Sequence, residues 1–297
     1  MRVLSGLFLA AAAGLTVAGW TAPAWAAPLQ ASSKWGVDFG EAHCIAYRSF
    51  DTAGKPLRLI VKAPVLGDDL QVSISTEGRT GGHYDEQLRG TWRIDDGPQV
   101  KVTVLAFRPE KNINHVLMMN LPRSSLARLI AKPGTMSLTI SSKLSHTMRI
   151  EGLGAAMKVV DECVAGMRKD WNVTNEIVAD YAAFLAAPPK KWTAPAEPID
   201  GSKRAKTDSL ARYFSSSDYP STALADGDDG IVRFVMLIDE KGRVADCTLT
   251  KTSGVAVLDA QTCAVVRERA RFKPALDSAG KARRDVGTTR VSWQLSP

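Results

Sequence analysis

The sequence lacks the patterns that most active chemistries need. It has no C-x-x-C pair and no cysteine–histidine cluster at metal-ligand spacing, which excludes the usual redox-motif and structural-zinc readings. It has no H-E-x-x-H, no G-x-S-x-G and no Gly-rich phosphate loop, so the metalloprotease, hydrolase and nucleotide-binding fingerprints are missing. Its four histidines, His43, His83, His115 and His146, are widely spaced in the sequence. An enzyme built on them would have no nameable nucleophile, base or orienting group, so catalytic residues and cofactors are expected to be none. Beyond the N-terminus no apolar run approaches the roughly 20 residues of a spanning helix. Lys and Arg number 38 against 31 Asp and Glu, a formal charge of +7, yet no aromatics interleave with them in a recognisable module. Nucleic acid is therefore not an expected partner. The basic groups Lys203, Arg204, Lys206 and Arg267, Arg269, Arg271, Lys273 read as solvated faces and as the favourable end of a helix. The acidic run Asp226-Gly227-Asp228-Asp229-Gly230 fails calcium-loop spacing, because Gly230 falls at the fifth ligand position and Ile231 where glycine is required. It reads as a turn leading into a strand, and no metal site is expected.

What is present begins with Arg2, an apolar run from Val3 through Ala18, and Ala24-Trp25-Ala26. This is the pattern of an export signal with a small-residue cleavage site. Cleavage is expected after Ala26, releasing residues 27 onward into the periplasm or another extracytoplasmic space. Retention of this segment would instead anchor the chain at the inner membrane.

The remaining length exceeds what one core usually requires. We expect a β-rich domain of unknown ligand over 27–185, a Pro-rich linker over 186–208 and a second domain over 209–297, in an α+β fold. In the first domain, alternating segments such as Leu57-Arg58-Leu59-Ile60-Val61 and Val100-Lys101-Val102-Thr103-Val104 predict strands of a sandwich or barrel. Turns are expected at 51–54, 67–69 and 95–98. A short helix is expected between Asn120 and Ile130, then a strand over Met136–Ser141. A stronger helix from Leu153 to about Trp171 carries Ala156, Val159, Val160, Cys163, Val164 and Met167 on one face and closes the domain. Residues 172–185 predict a further helical turn or two. Pro188, Pro189, Pro195 and Pro198 mark a semi-rigid spacer that reaches no more than about 70 Å.

Four cysteines in an oxidising compartment allow three pairings. The linker separates Cys44 and Cys163 from Cys247 and Cys263, so the expected disulfides are Cys44–Cys163, tying helix to first strand, and Cys247–Cys263.

In the second domain, Ile231 through Ile238 is a continuous β-forming run that ends in the turn Asp239-Glu240-Lys241-Gly242. In the next strand Ala245, Cys247 and Leu249 face one way and Asp246, Thr248 and Thr250 the other, the alternation of a strand with one buried side. A helix carrying Leu258, Thr262, Val265, Val266 and Phe272 follows, then a last strand in which Thr289, Val291, Trp293 and Leu295 alternate against Arg290, Ser292 and Gln294. The expected order is ββαβ.

Tyr219-Pro220, Gly230, Ile238-Asp239 with Gly242, Ser253-Gly254, Leu258-Asp259, Arg271-Phe272-Lys273-Pro274-Ala275, Gly280 and Trp293, in this order, resemble the signature of the TonB C-terminal domain family. The resemblance is confined to about residues 213–297. It implies a periplasmic module of Gram-negative bacteria that captures an extended peptide from an outer-membrane transporter by strand addition. Carried over, the binding residues are Thr288, Thr289, Arg290, Val291, Ser292, Trp293, Gln294 and Leu295, with Tyr219 and Pro220 packed beside them. Two departures stand out. Ser215-Ser216-Ser217-Asp218 occupies the place where many members carry glutamine, and the retained membrane helix of the energy transducers is replaced by a cleavable signal. The expectation is thus a protein-binding module in the envelope, related to transmembrane transport but without its own energy-transducing anchor. The alternatives are a full transducer with a retained N-terminal helix, a structural or regulatory envelope protein that homodimerises through its edge strand, and an enzyme in the N-terminal domain.

Overall fold

The structure is a computed structural model describing residues 27–52, 56–76, 86–107, 115–141, 145–186 and 201–295. The expected signal over 1–26, most of the Pro-rich stretch and His83 lie outside these residues.

The N-terminal part contributes β1 (Gly36–Gly40), β2 (His43–Phe50), β3 (Leu57–Ala63), β4 (Asp69–Thr76), β5 (Glu86–Ile94), β6 (Val100–Phe107) and β7 (His115–Pro122). These are followed by α1 (Ala127–Ala131), β8 (Gly134–Thr139), β9 (Ser145–Ile150), α2 (Leu153–Asp170) and α3 (Asn175–Ala186). All nine strands form one antiparallel sheet in the order β1-β2-β3-β4-β7-β6-β5-β8-β9. The sheet curls until its ends meet. Leu29 bridges to Met148 of β9 and Ala31 to Phe50 of β2, and the Leu29 N–H donates to the Thr147 carbonyl at 2.8 Å. Of the two expected architectures this is the barrel-like one, with a single sheet where a sandwich would have two.

Period-two alternation fills the interior: Leu57, Leu59 and Val61 of β3 are buried while Arg58 is exposed. α2 closes the core with Leu153, Ala156, Met157, Val160, Val164 and Met167 at helical spacing. Val159, expected on that stripe, is exposed because it lies one residue off it. Cys44 and Cys163 form a disulfide with Cα atoms 6.0 Å apart. It ties α2 to the second strand, since β1 precedes Cys44, and α3 follows as a twelve-residue helix.

The C-terminal part comprises α4 (Ser221–Asp226), β10 (Gly230–Ile238), β11 (Val244–Lys251), α5 (Ala256–Arg269), the small hairpin β12 (Ala275–Leu276) and β13 (Ala282–Arg283), and β14 (Asp285–Trp293). The hairpin is an addition to the expected ββαβ order. Phe272 lies beyond the end of α5, on the segment leading to this hairpin. The three-stranded sheet runs β11-β10-β14, all antiparallel. One face carries Val232, Phe234, Met236 and Ile238 onto α5, where Cys247 and Cys263 form the second disulfide with Cα atoms 5.4 Å apart.

The other face is also covered. Val235, Leu237 and Val286 join the core of the N-terminal part. Asp246, Thr248 and Thr250, read from the sequence as the open side of β11, are buried, as are Ser73 and Ser75 of β4. Lys62 of β3 reaches Asp246 at 2.8 Å with both side chains largely enclosed, and Thr248 Oγ1 donates to the same carboxylate at 2.8 Å. Arg233 donates to the Phe184 carbonyl of α3 at 3.1 Å. The polar stripe of β11 is therefore a docking surface, and its small hydroxyl side chains let two sheets approach closely. A register shift between Leu237 and Ile238 leaves Ala245 unpaired and exposed.

Residues 201–208, read from the sequence as the end of the linker, lie against the C-terminal part. Lys203 bridges to Leu276 and Lys206 to Lys273, and Arg204 pairs with the buried Asp285 at 3.0 Å.

Candidate functional site

β14 is one of the two outer strands of its sheet, β11 being the other, and its backbone directions follow from the turn that precedes β11. The Asp239 N–H donates to the Arg243 carbonyl at 2.9 Å, so that residue faces β11. Backbone groups alternate sides along a strand. Ile238 then faces β14, its partner Asp285 faces back, and Val286 points away from β10. The Arg204 guanidinium on the Val286 carbonyl at 2.6 Å fits the same parity. Thr288, Arg290 and Ser292 follow in step, presenting N–H and C=O outward with no strand beyond them among the described residues. Gly287, Thr289, Val291 and Trp293 bond inward to β10.

A groove of about 300 Å³ opens beside the first half of this edge. Ile177 and Asp180 of α3 form one wall, Arg204 to Thr207 the other, and Met236, Ile238 and Gly287 the floor. Gly287 keeps the floor open, since a Cβ there would meet the Met236 methyl at 3.3 Å.

The expected binding residues divide into two roles. Thr288, Thr289, Arg290 and Val291 are half-buried and Ser292 exposed, all on the strand. Gln294 and Leu295 lie past its end, because β10 begins at Gly230 opposite Trp293 and offers nothing further to pair with. Trp293, Tyr219 and Pro220 are supports. The Trp293 indole is buried and donates to Thr262 Oγ1 of α5 at 2.8 Å. Tyr219 and Phe214 meet its ring edge-on at 5.3 and 5.6 Å, within the favourable range for aromatic pairs. Tyr219 Oη donates to the Asp228 carbonyl at 2.5 Å, and burial, with Asp229 and Asp228 nearby, raises its pKa. Pro220 precedes the first turn of α4. Gly227, in the acidic loop, ends α4 in the left-handed conformation, so that loop is a helix stop and strand entry.

Asp218, in the sequence part of the Ser215–Asp218 segment that stands in place of glutamine, is an anchor in the structure. Its carboxylate accepts from Arg269 at 2.8 Å and from the Ser215 N–H at 2.7 Å. The Arg269 bond, opposed by burial and aided by Ser215, holds its pKa below the ordinary value. The Ser215-x-x-Asp218 spacing is a capping-box pattern and could have identified this anchor. Asp259 similarly accepts from the Ser253 N–H at 2.8 Å and from Thr252 Oγ1, linking the end of β11 to the start of α5. Burial raises its pKa.

The histidines form no comparable constellation among the described residues. His43 lies 3.6 Å from Asp38 on an exposed hairpin. His146, on β9, is held below its usual pKa by burial. No group of three or more His, Cys, Asp or Glu able to hold a metal occurs among the described residues.

Residues 215–295 match the family model of the Gram-negative bacterial TonB protein C-terminal region. No curated protein matches the chain. Among solved structures the chain is similar to the crystal structure of invasion associated protein B from Bartonella henselae, at 13% identity and a TM-score of 0.30, over 43% of this chain and 92% of that one.

Proposed function

We propose that the C-terminal part, residues 209–297, captures an extended peptide of an envelope protein by strand addition along β14. The observation that carries this reading is the unpaired outer edge at Thr288, Arg290 and Ser292, beside a groove roomy enough for a side chain of the added strand. Main-chain hydrogen bonds supply the affinity and the groove the selectivity. The family match over 215–295 supports a periplasmic interaction module and an outer-membrane transporter as the class of partner. Export with cleavage after Ala26 and an unanchored mature chain belong to the same reading. No helix among the described residues is long and apolar enough to cross a membrane. The N-terminal sheet acts as the carrier that holds the module by its second face and leaves the edge free.

A variant at Arg290 tests strand addition. Its N–H points outward, so Arg290→Pro removes an edge donor while leaving the bonds to β10 in place, and proline is tolerated at such edge positions. Selection from a randomised peptide display library should enrich binders on the wild-type protein. Those peptides should bind Arg290→Pro about tenfold more weakly, a loss of about 1.4 kcal/mol, while Arg290→Ala retains them. Equal binding by Arg290→Pro eliminates strand addition. The same open edge favours a second reading, pairing of two copies through β14. A concentration-dependent rise in mass that Arg290→Pro abolishes would establish it.

A further inference from the structure

The basic run Arg267-Glu268-Arg269-Ala270-Arg271 is not accounted for by the strand-addition edge. Arg269 turns to Asp218 at 2.8 Å. Arg267 and Arg271 line a separate cleft of about 690 Å³ between the two parts of the chain, together with Lys241, Arg243 and Arg284. The N-terminal wall supplies Glu41, His43 and Trp171. Five cationic side chains thus face three carboxylates, Glu41, Asp239 and Glu240.

The pairing within the cleft sharpens that imbalance. Asp239 is engaged by Arg243 at 3.0 Å, and Glu240 by Arg284 at 3.0 Å. The Arg284 guanidinium is also held 4.9 Å from the centre of the Trp171 ring, a cation–π contact that fixes its position. Lys241, Arg267 and Arg271 have no carboxylate partner among the described residues. Arg243 and Arg271 also sit opposite each other in a β-bridge, and because Asp239 is already taken by Arg243, Arg271 is the cation of this pair left without a carboxylate among the described residues. The C-terminus of α5 contributes only about half a negative charge, less than the unpaired cations supply.

We infer that this cleft binds a phosphate group, with Arg267 and Arg271 as its principal ligands and Lys241 and Arg243 beside them. Phosphate fits because its several oxygens accept the paired N–H groups of arginine and its charge offsets the opposed guanidiniums. The group is carried either by a small soluble phosphate or by a phospholipid headgroup.

The test is calorimetric titration of the full mature chain with inorganic pyrophosphate at low ionic strength, and in parallel sedimentation with vesicles of phosphatidylglycerol or of phosphatidylcholine alone. The variants are Arg267→Gln/Arg271→Gln and a control of equal charge change outside the cleft, Arg89→Gln/Lys158→Gln. Pyrophosphate binding that falls about tenfold or more in the cleft variant and less than about twofold in the control supports the site with a soluble ligand. The same pattern on phosphatidylglycerol vesicles alone supports a headgroup. No binding of either probe, or equal loss in both variants, overturns the inference. If the double variant melts early, the single Arg267→Gln change, at an exposed helix position, carries the same comparison. Arg290→Pro should bind pyrophosphate as the wild type does, which separates this site from strand addition.

Discussion

The two sheets of this chain treat their edges in opposite ways. The nine-stranded sheet curls, and the segment through Leu29 and Ala31 bridges β9 to β2, which brings its two ends together and covers part of the ladder that would otherwise invite foreign strands. The three-stranded sheet is covered on both faces yet stops at β14, whose outer backbone groups at Thr288, Arg290 and Ser292 have no partner strand among the described residues. An exposed edge is a liability in most proteins. In β14 the open edge carries threonine, arginine and serine, while the apolar β10 is enclosed between β11 and β14. That contrast is what the proposed strand addition rests on.

The sharpest way to break the contrast is to cut the disulfides. Cys44–Cys163 spans 119 residues, and its removal by alanine substitution should lower unfolding free energy by about 4–5 kcal/mol in the chain-entropy estimate. Cys247–Cys263 spans 16 residues and should cost about 3 kcal/mol. Denaturant titration of the two double variants checks the order, and a larger effect from the short loop would reverse our view of which part is the scaffold. Next is the joint between the parts. Lys62→Met leaves Asp246 enclosed without its cation and should destabilise by about 3 kcal/mol, whereas Lys62→Met with Asp246→Leu should recover most of it. Calorimetry that shows no loss for the single variant would mean the two sheets do not depend on this contact.

A smaller effect concerns pH. The Asp218 carboxylate has its pKa lowered first by the Arg269 bond, so its contribution is complete above the unfolded value of about 3.9 and fades as pH falls through the lower folded value. Asp218→Asn should cost about 1 kcal/mol near pH 6, a modest figure because Arg269 is partly solvated. The cost should shrink as the pH falls below the unfolded value and through the lowered folded one. A difference that is constant with pH would show that the aspartate acts through shape alone.

Much of the C-terminal part is legible because its signals are local: the turn at Asp239–Gly242 and the apolar stripe of α5 each depend on neighbours a few residues away. The cysteine pairing expected from the position of the Pro-rich stretch matches the disulfides in the structure. The docking between the parts is harder to read. Asp246, Thr248 and Thr250 look like a solvent face by composition, and only their burial, with Lys62 on Asp246, reveals otherwise. A clue lay in β10, whose unbroken run from Ile231 to Ile238, without alternation apart from Arg233, is the pattern of a strand buried on both faces. The closure of the large sheet by Leu29 and Ala31 carries no such clue, because two isolated bridges lack periodicity. Trp293 was legible as a landmark but not as a support. A tryptophan at a strand end reads equally as contact or core until its Thr262 partner is seen.

The alternation along β14 also has a signature in time. Amide protons of Gly287, Thr289 and Val291 bond into β10, which is paired on both sides, and should exchange with solvent deuterium only when the sheet opens. Those of Thr288, Arg290 and Ser292 should exchange orders of magnitude faster, so protection should rise and fall with every residue along one strand. A bound peptide would slow only the fast set, turning a saw-tooth profile flat and reading out occupancy amide by amide.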